Sequence, residues 1–335
     1  MTKELLESAL QELIENSHEL TPSFVPYSIG TPTSLAFLRQ VHKNFPMVYK
    51  GAVDHWPSLD SESEQFWSKT YLVERLSGTA VQVAETPFGN ADAPVDGQYF
   101  VLPHTSKMEF GEFIHRLTAD DDEDKAVYYM QSQNNNIPTE FPMLKGEIEL
   151  DLPWASEALD LSPEAVNLWI GSGRSTTSLH KDPYENLHVQ VLGKKVFKLI
   201  APSEYVCVRE RDLLERQYVK HDSQFELKEI SDKNIIPWPT MDPQHIDSKD
   251  KWQRQSRVLE VVLEPGDMLY LPALWFHQVG QESDNDGICC SVNFWYDMDY
   301  SGPQWTTNNF LRACAYAVEG RKPTRPTETD LEITE

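Results

Sequence analysis

The stretch SLHKDPYEN, residues 178–186, decides the fold and the chemistry that this sequence predicts. Side chains two residues apart on a β-strand leave the same face, so His180 and Asp182 can enter one cavity. A second stretch, LYLPALWFH at residues 269–277, ends in another histidine, His277. Two histidines and one carboxylate are the ligands of the facial triad that holds non-haem Fe(II) with open coordination positions. The two stretches together predict a metal centre.

Each part of this triad also has a simpler interpretation. A His-x-Asp pair can stand at a strand end without a metal, and a histidine among aromatic residues often packs in a core. His277 follows the strand candidate 268–271 by one turn, in the same half of the chain as His180 and Asp182. This placement could bring it across a barrel to them. His188 shares their strand parity and is the one rival ligand; we interpret it as a pocket or packing residue.

A lysine with unusual strand parity follows the first motif. On the strand candidate 195–200, Lys195 shares a face with the apolar Phe197 and Leu199, whereas Lys194 and Lys198 fall on the opposite face. An unpaired buried charge is costly, so Lys195 predicts a bound anion, such as the carboxylate of a small acid beside the metal. The alternative is an edge strand whose lysine reaches solvent along its own stem. The pattern leaves both interpretations open.

The second half of the chain reads as strand, turn and strand, without alternating helices. Residues 187–192 and 195–200, joined at Gly193 and Lys194, predict a β-hairpin. Further strand candidates are 165–170, 258–263, 268–271 and 288–295. Residues 203–257 are polar and predict an irregular insertion. This pattern favours a mainly β fold, an antiparallel barrel or sandwich that could hold one small ligand inside.

The rest of the chain is expected to flank this barrel. Residues 1–125 predict a helical and mixed region, 126–300 the barrel with its 203–257 insertion, and 301–335 a terminal helix followed by a disordered tail. Helices are predicted at 2–18, 33–42, 66–76, 110–117 and 305–319. Strands are predicted at 45–50, 79–84 and 125–131, loops at 24–32, 88–98 and 134–138, and an acidic turn at 120–124.

Composition narrows the possible partners. Of 335 residues, 53 are acidic and 29 are basic, for a net charge of −24. Such a surface should repel nucleic acid and attract basic protein segments, although solubility alone could explain it. The four cysteines form no CxxC pattern, no run of about 18 apolar residues is present, and the acidic N-terminus is unlike a secretory signal. We therefore expect a cytoplasmic or nuclear protein that binds neither nucleic acid nor membrane.

The motifs in combination resemble a known family. They are Thr177, His180-x-Asp182, Asn186, Lys195, the stretch PGDMLYLPALWFH at 265–277, and NFWY at 293–296. Together they resemble the Jumonji-C oxygenases, Fe(II)- and 2-oxoglutarate-dependent enzymes on a double-stranded β-helix of the jelly-roll or cupin-like type. The stretches 153–159, 179–187 and 269–277 are most similar to the small Jumonji-C-only lysyl hydroxylases.

The resemblance implies an activity and a ligand set. Iron would be held by His180, Asp182 and His277, and dioxygen would be the co-substrate. The implied 2-oxoglutarate contacts are Tyr129, Thr177, Asn186, Lys195 and Asn293. The implied reaction is hydroxylation of a protein lysine, within developmentally regulated GTP-binding proteins of the translation-factor GTPase class, by an enzyme that could be a homodimer.

Three other functions stay open. N-methyl-lysine demethylation would use the same iron centre. A protein-clipping peptidase is disfavoured because the sequence lacks the His-Glu-x-x-His helix motif of zinc peptidases. A non-catalytic cupin-like binding protein would need neither a full triad nor Lys195.

Overall fold

Short helices surround several β-sheets in the computed structural model, which describes residues 2–119, 126–230 and 234–323. The helices are α1 (Lys3–Leu20), α2 (Ser34–Lys43), α3 (Lys69–Arg75), α4 (Phe110–Thr118), α5 (Asn136–Glu140), α6 (Pro153–Leu159) and α7 (Pro303–Val318). The first nine strands are β1 (Tyr27–Ile29), β2 (Met47–Lys50), β3 (Ala80–Thr86), β4 (Ala93–Val95), β5 (Tyr99–Leu102), β6 (His104–Glu109), β7 (Val127–Tyr129), β8 (Ala165–Gly171) and β9 (Thr177–His180). The remaining strands are β10 (Tyr184–Leu192), β11 (Lys194–Ile200), β12 (Glu210–His221), β13 (Gln224–Glu229), β14 (Ile235–Pro239), β15 (Leu259–Leu263), β16 (Asp267–Leu271), β17 (Phe276–Glu282) and β18 (Cys289–Asp297).

Two sheets carry the barrel. One has six strands in the order β1-β2-β16-β10-β18-β8, and the other has four in the order β15-β11-β17-β9. Apolar side chains of both sheets share one cluster, in which Leu269 and Leu271 of β16 join Phe197 and Leu199 of β11. Burying apolar faces against each other is what holds such layers together. The predicted mainly β, jelly-roll fold with flanking helices is confirmed.

The predicted hairpin between residues 187–192 and 195–200 is wrong. Strand β10 pairs with β16 and β18, whereas β11 pairs with β15 and β17, so the two strands lie in different sheets. Gly193 is the single residue between them and has φ 66°. A Cβ atom built on it would lie 2.4 Å from the backbone oxygen of Glu282. Glycine is used here to turn a corner between two sheets, because only glycine fits that backbone.

The predicted irregularity of residues 203–257 is also wrong for much of that segment. Strand β12 pairs with β13 and β14 and, in parallel, with β5 from the N-terminal half. The charged residues that suggested a loop form ion pairs instead: Arg216 with Glu229 at 3.1 Å and Lys220 with Glu85 at 2.9 Å. The polarity therefore belongs to a sheet whose charged side chains are paired, across β12 and β13 in one case and with β3 of another sheet in the other.

The N-terminal residues complete the sheets rather than standing apart. Strands β1 and β2 extend the six-stranded sheet, and Leu10 and Ile14 of α1 share a core cluster with Leu311 and Val318 of α7. Strand β1 and helix α5 fall in segments predicted as loops, 24–32 and 134–138. The predicted acidic turn at 120–124, and residues 324–335 of the predicted tail, lie outside the described residues. The domain limits at 125 and 300 stay predictions.

Among the described helices, none combines the length and the apolar character that crossing a membrane requires.

The corner at Gly193 can be tested by substitution. Gly193→Ala should lower the free energy of unfolding by about 3 kcal/mol, because the left-handed backbone and the displaced Glu282 carbonyl both add to the cost. Gly78→Ala is the matched control, since Gly78 has φ 76° but no atom within 4 Å of the added carbon. It should cost only about 1 kcal/mol. Urea unfolding midpoints measure both; equal losses would show that close approach does not matter at Gly193.

Candidate active site

Strand pairing brings the three motif residues together. His180 ends β9 and lies directly opposite His277, the second residue of β17. Asp182 follows two residues later, and its backbone oxygen accepts a hydrogen bond from the Leu274 amide at 2.8 Å. Leu274 has φ 67°, a left-handed conformation that a leucine rarely adopts. The turn before β17 is thus held against the chain that carries Asp182.

The ligand atoms of these side chains converge on one point. The nearer Asp182 oxygen, Oδ2, lies 3.6 Å from His180 Nε2 and 3.5 Å from His277 Nε2. One ligand atom from each residue lies within 4.8 Å of the other two. His277 is buried, and the other two are partly exposed. Within the described residues, no other group of histidines, cysteines and carboxylates meets the same criterion.

Backbone carbonyls fix the tautomer of both imidazoles. His180 Nδ1 lies 2.8 Å from the oxygen of Ser178, and His277 Nδ1 lies 3.0 Å from the oxygen of Trp275. A carbonyl can only accept, so each Nδ1 carries a proton, and Nε2 is the ring nitrogen that faces Asp182 and is available as a ligand atom. Hydrogen bonds of this kind orient the histidines of metal sites. Two neutral nitrogens and one carboxylate suit Fe(II).

The charge states also fit a cation. Burial by itself would raise the pKa of Asp182, but His180 and His277 outweigh it and lower that pKa to about 2. Burial and the neighbouring His180 lower the pKa of His277 to about 4. At neutral pH the carboxylate is therefore ionised and His277 is neutral, which are the forms that bind metal. Burial by itself would lower the pKa of His180, but Asp182 outweighs it and raises that pKa, so a metal that binds Nε2 would compete with a proton there.

Lys195 lies on the same face of the four-stranded sheet as His277. In the pairing of β11 with β17, Leu199 is opposite His277 and Lys195 is opposite Gln281, so both pairs point the same way. Only 2% of Lys195 is exposed, and its Nζ donates to the Tyr129 hydroxyl at 2.9 Å. In the described part of the chain, no carboxylate lies within 4 Å of that ammonium group. A buried cation with only a hydroxyl partner fits an anionic ligand.

Of the other predicted contacts, Asn186 and Asn293 come from the six-stranded sheet and Thr177 from the four-stranded sheet. Asn293 Nδ2 donates to Asn186 Oδ1 at 3.3 Å, and Trp169 Nε1 donates to Asn293 Oδ1 at 2.8 Å. Thr177 begins β9 and pairs with Val279, and within the described residues it makes no hydrogen bond to Tyr129, Asn186, Lys195 or Asn293. The structure thus joins Lys195 to Tyr129 and Asn186 to Asn293 directly, and leaves Thr177 apart from both pairs.

His188 occupies the interior between these groups. It pairs with Asn293 across β10 and β18, and its ring stands edge-on to Phe197 with centroids 5.1 Å apart. Burial, Lys195 and His277 keep its pKa well below the usual value, so the ring is neutral. Its Nε2 is buried without a hydrogen-bond partner among the described residues. His188 is therefore not a rival metal ligand, because it lies outside the group formed by His180, Asp182 and His277.

The sequence did not predict that Trp238 lies beside His180. The Trp238 ring stacks on the His180 ring at 6.2 Å with 7° between planes, and its Nε1 donates to Ser178 Oγ at 3.1 Å. Trp238 comes from β14, inside the segment predicted to be irregular. Its position between Pro237 and Pro239, residues that favour extended backbone, was the available signal.

Two thiols lie close to the buried lysine. Cys289 and Cys290 are adjacent on β18, and both interact electrostatically with Lys195. Burial raises the pKa of both thiols, which are therefore protonated.

Known proteins resemble this chain over nearly all its length. Residues 33–302 match the family described as the cupin-like domain. The chain is 37% identical over 301 residues to the bifunctional peptidase and (3S)-lysyl hydroxylase JMJD7 of Homo sapiens, covering 89% of this chain and 92% of that protein. It is 33% identical over 307 residues to lysine-specific demethylase JMJ32 of Arabidopsis thaliana, covering 87% of each. JmjC domain-containing protein E of Dictyostelium discoideum is 31% identical over 312 residues, covering 85% of this chain and 87% of that protein.

Removing the carboxylate should abolish metal binding without unfolding the chain. We expect Asp182→Ala to bind Fe(II) at least about 100-fold more weakly, because the ion loses one of three ligands and the only anionic one. Asp297→Ala, which removes an exposed carboxylate at the end of β18, should bind Fe(II) normally. Metal content after anaerobic dialysis and the thermal unfolding midpoint measure the two effects. A full metal complement in Asp182→Ala would refute the triad.

Proposed function

Because the chain belongs to the cupin-like Jumonji-C family of Fe(II)- and 2-oxoglutarate-dependent oxygenases, we propose that it hydroxylates a lysine side chain of a protein substrate. One observation carries the proposal: a convergent set of two histidines and one carboxylate shares a barrel with a buried lysine that lacks an anion. The triad supplies the metal ligands, and the lysine supplies the charge for a dicarboxylate. A non-catalytic binding protein would have no need of both.

Different residues of the site would bind the metal and the cosubstrate. His180, Asp182 and His277 would hold Fe(II) through one atom each, which leaves coordination positions open. Lys195, with its hydroxyl partner Tyr129, would receive the distal carboxylate of 2-oxoglutarate. When bound, iron and 2-oxoglutarate use dioxygen to insert one oxygen atom into a C–H bond, with succinate and carbon dioxide as the other products.

The six-stranded sheet would complete the cosubstrate pocket. Asn186 and Asn293 present amide groups from neighbouring strands of that sheet. Thr177 is the first residue of β9, in the four-stranded sheet. We assign these three to 2-oxoglutarate as well. Trp169, bonded to Asn293, would hold that amide in one orientation. The buried and largely apolar walls exclude water, which limits side reactions of the oxidant.

Lysine is the substrate residue that the available observations favour. The human relative, which matches nearly the full chain, is named a (3S)-lysyl hydroxylase. A net charge of −24 favours a target with a basic segment. We propose a developmentally regulated GTP-binding protein of the translation-factor class as the target. A cytoplasmic or nuclear location, a homodimer, and no binding to nucleic acid or membrane complete this proposal.

Demethylation is the second candidate. The relative from Arabidopsis thaliana is named a lysine-specific demethylase and is 33% identical over 87% of the chain. The same site would oxidise an N-methyl carbon, which then leaves as formaldehyde. A peptidase reaction has weaker support: the word appears in the name of the human relative, but the sequence contains no His-Glu-x-x-His motif.

Mass measurement separates these reactions. After aerobic incubation with Fe(II) and 2-oxoglutarate, a developmentally regulated GTP-binding protein should gain one oxygen atom, about 16 Da, on a lysine. A methylated peptide treated in parallel should keep its methyl groups. Omission of 2-oxoglutarate is the control and should leave both masses unchanged. Methyl loss without oxygen gain would favour demethylation, and fragments formed without 2-oxoglutarate would favour peptidase activity.

Lys195 can be tested against a neighbour on the same strand. Lys195→Ala should weaken 2-oxoglutarate binding about 100-fold, because the cosubstrate carboxylate loses its buried charge partner, and should change Fe(II) binding little. Lys198→Ala is the matched control: Lys198 faces outward and pairs with Glu260 across the strands. Calorimetric titration of anaerobic, metal-loaded protein measures both. Unchanged 2-oxoglutarate affinity in Lys195→Ala would remove this residue from the site.

A further inference from the structure

A loop outside the barrel strands is docked beside the metal centre. The backbone oxygen of Asp92 accepts a hydrogen bond from Ser178 Oγ at 2.7 Å, and the Gly89 oxygen accepts one from the Thr176 amide at 2.8 Å. Gly89 allows this approach, because a Cβ built on it would lie 2.0 Å from the backbone oxygen of Arg174. The loop is therefore fixed to β9, the strand that ends in His180.

The Asp92 side chain is poorly compensated. Its Oδ2 accepts a hydrogen bond from Gln131 Nε2 at 2.8 Å, and its residue is only partly exposed. Within residues 2–119, 126–230 and 234–323, no lysine, arginine or histidine nitrogen lies within 4 Å of the Asp92 carboxylate. Its backbone has φ 52°, a left-handed conformation that aspartate tolerates better than most residues. A carboxylate held away from water with one amide donor has room for a cation.

The partners of Asp92 all belong to the candidate active site. Gln131 comes two residues after Tyr129, and Ser178 comes two residues before His180. Ser178 Oγ also accepts the indole N–H of Trp238, whose ring stacks on His180. Burial raises the pKa of Asp92, while Gln131 and the nearby His180 act in the opposite direction. Asp92 is thus joined through Ser178 to the strand that ends in His180 and to Trp238, whose ring stacks on His180.

We propose that Asp92, oriented by Gln131 and walled by Trp238, is the subsite that receives the ammonium group of the substrate lysine. The inference rests on the proposed lysyl hydroxylase function and names the group that selects lysine at that site. An ammonium group has three N–H donors, and a carboxylate with free lone pairs accepts them with charge assistance. Anchoring the side chain at its charged end would present its carbon atoms to the metal.

The subsite also distinguishes free lysine from methylated lysine. A trimethylammonium group keeps its charge but has no N–H donor, so it cannot hydrogen-bond to Asp92. A site built around a hydrogen bond rejects the analogue that lacks it, because its own polar group is left unpaired. Asp92 therefore favours hydroxylation of unmodified lysine over demethylation.

A binding experiment tests the subsite without turnover. The full chain is loaded with Mn(II) in place of iron and with 2-oxoglutarate, at physiological salt, so that no oxidation occurs. The probes are three pentapeptides with glycines around a central lysine, trimethyl-lysine or norleucine. Dissociation constants come from the broadening that Mn(II) causes in the proton NMR signals of each peptide. We expect the lysine peptide to bind about tenfold more tightly than either other peptide.

Variants at Asp92 and at the nearby Asp96 distinguish an effect of the Asp92 charge from a general effect on structure. Asp92→Asn should bind the lysine peptide about tenfold more weakly and leave norleucine binding unchanged, and Asp92→Glu should recover part of the loss. Asp96→Asn makes the same chemical change at an exposed position in the turn after β4 and should behave like the natural chain. Equal lysine affinities in Asp92→Asn and the natural chain, or equal binding of lysine and norleucine peptides by the natural chain, would overturn the subsite.

The two proposals fail in different ways. Asp92→Asn should retain the 2-oxoglutarate affinity of the natural chain, because Lys195 holds the cosubstrate. If Asp92→Asn loses the preference for the lysine peptide but binds 2-oxoglutarate normally, the result supports the subsite and leaves the oxygenase proposal unaffected. If the natural chain binds no 2-oxoglutarate, the oxygenase proposal fails, and the charge preference of the Mn(II)-loaded chain still decides whether Asp92 receives an ammonium group.

Discussion

The antiparallel pairing of β9 with β17 is the constraint on which the site depends. It sets His180 opposite His277, and the chain then needs only two more residues to bring Asp182 to the same point. Side chains alternate along a strand, so a slip of one residue in β9 against β17 would put the two imidazoles on opposite faces. Strand β11 pairs with the other edge of β17, and this second register sets Lys195 on the same face as His277. The two pairings of β17 therefore set the relative positions of the candidate metal ligands and of Lys195.

Burial gives these few groups their chemical character. The barrel interior opposes any isolated charge, yet Asp182 is held ionised by two imidazoles, and Tyr129 is the one hydrogen-bond partner of Lys195 among the described residues. His188, neutral and without a partner at Nε2, shows the same environment acting on a group that has no counter-ion. Burying the charges of Asp182 and Lys195 is costly, and binding an ion of opposite charge would offset that cost. Affinity for a bound metal or anion would therefore come from charged groups rather than from a large apolar surface.

Local periodicity predicted the parts of this arrangement that depend on local sequence. The two-residue spacing of His180 and Asp182 and the parity of Lys195 follow from strand geometry, and the structure has the same alternation. Local sequence does not show which sheet a strand joins. A glycine with positive φ, such as Gly193, fits both a hairpin turn within one sheet and a connection between two sheets. Trp238 and Asp92 reach the site through pairings with distant segments, the β12 ladder and the loop bonded to Ser178. Such contacts leave no periodic signal in the chain.

The protonated thiols of Cys289 and Cys290 have a consequence for the lifetime of the enzyme. Iron centres that activate dioxygen release damaging by-products when a cycle misfires, and sulfur is among the first atoms that such species attack. Attack proceeds through the thiolate and requires access, and burial denies both to this pair. Cys289 and Cys290 are therefore protected from such species, so that oxidation should begin at more accessible sulfur atoms, such as those of the partly exposed Met47 and Met143.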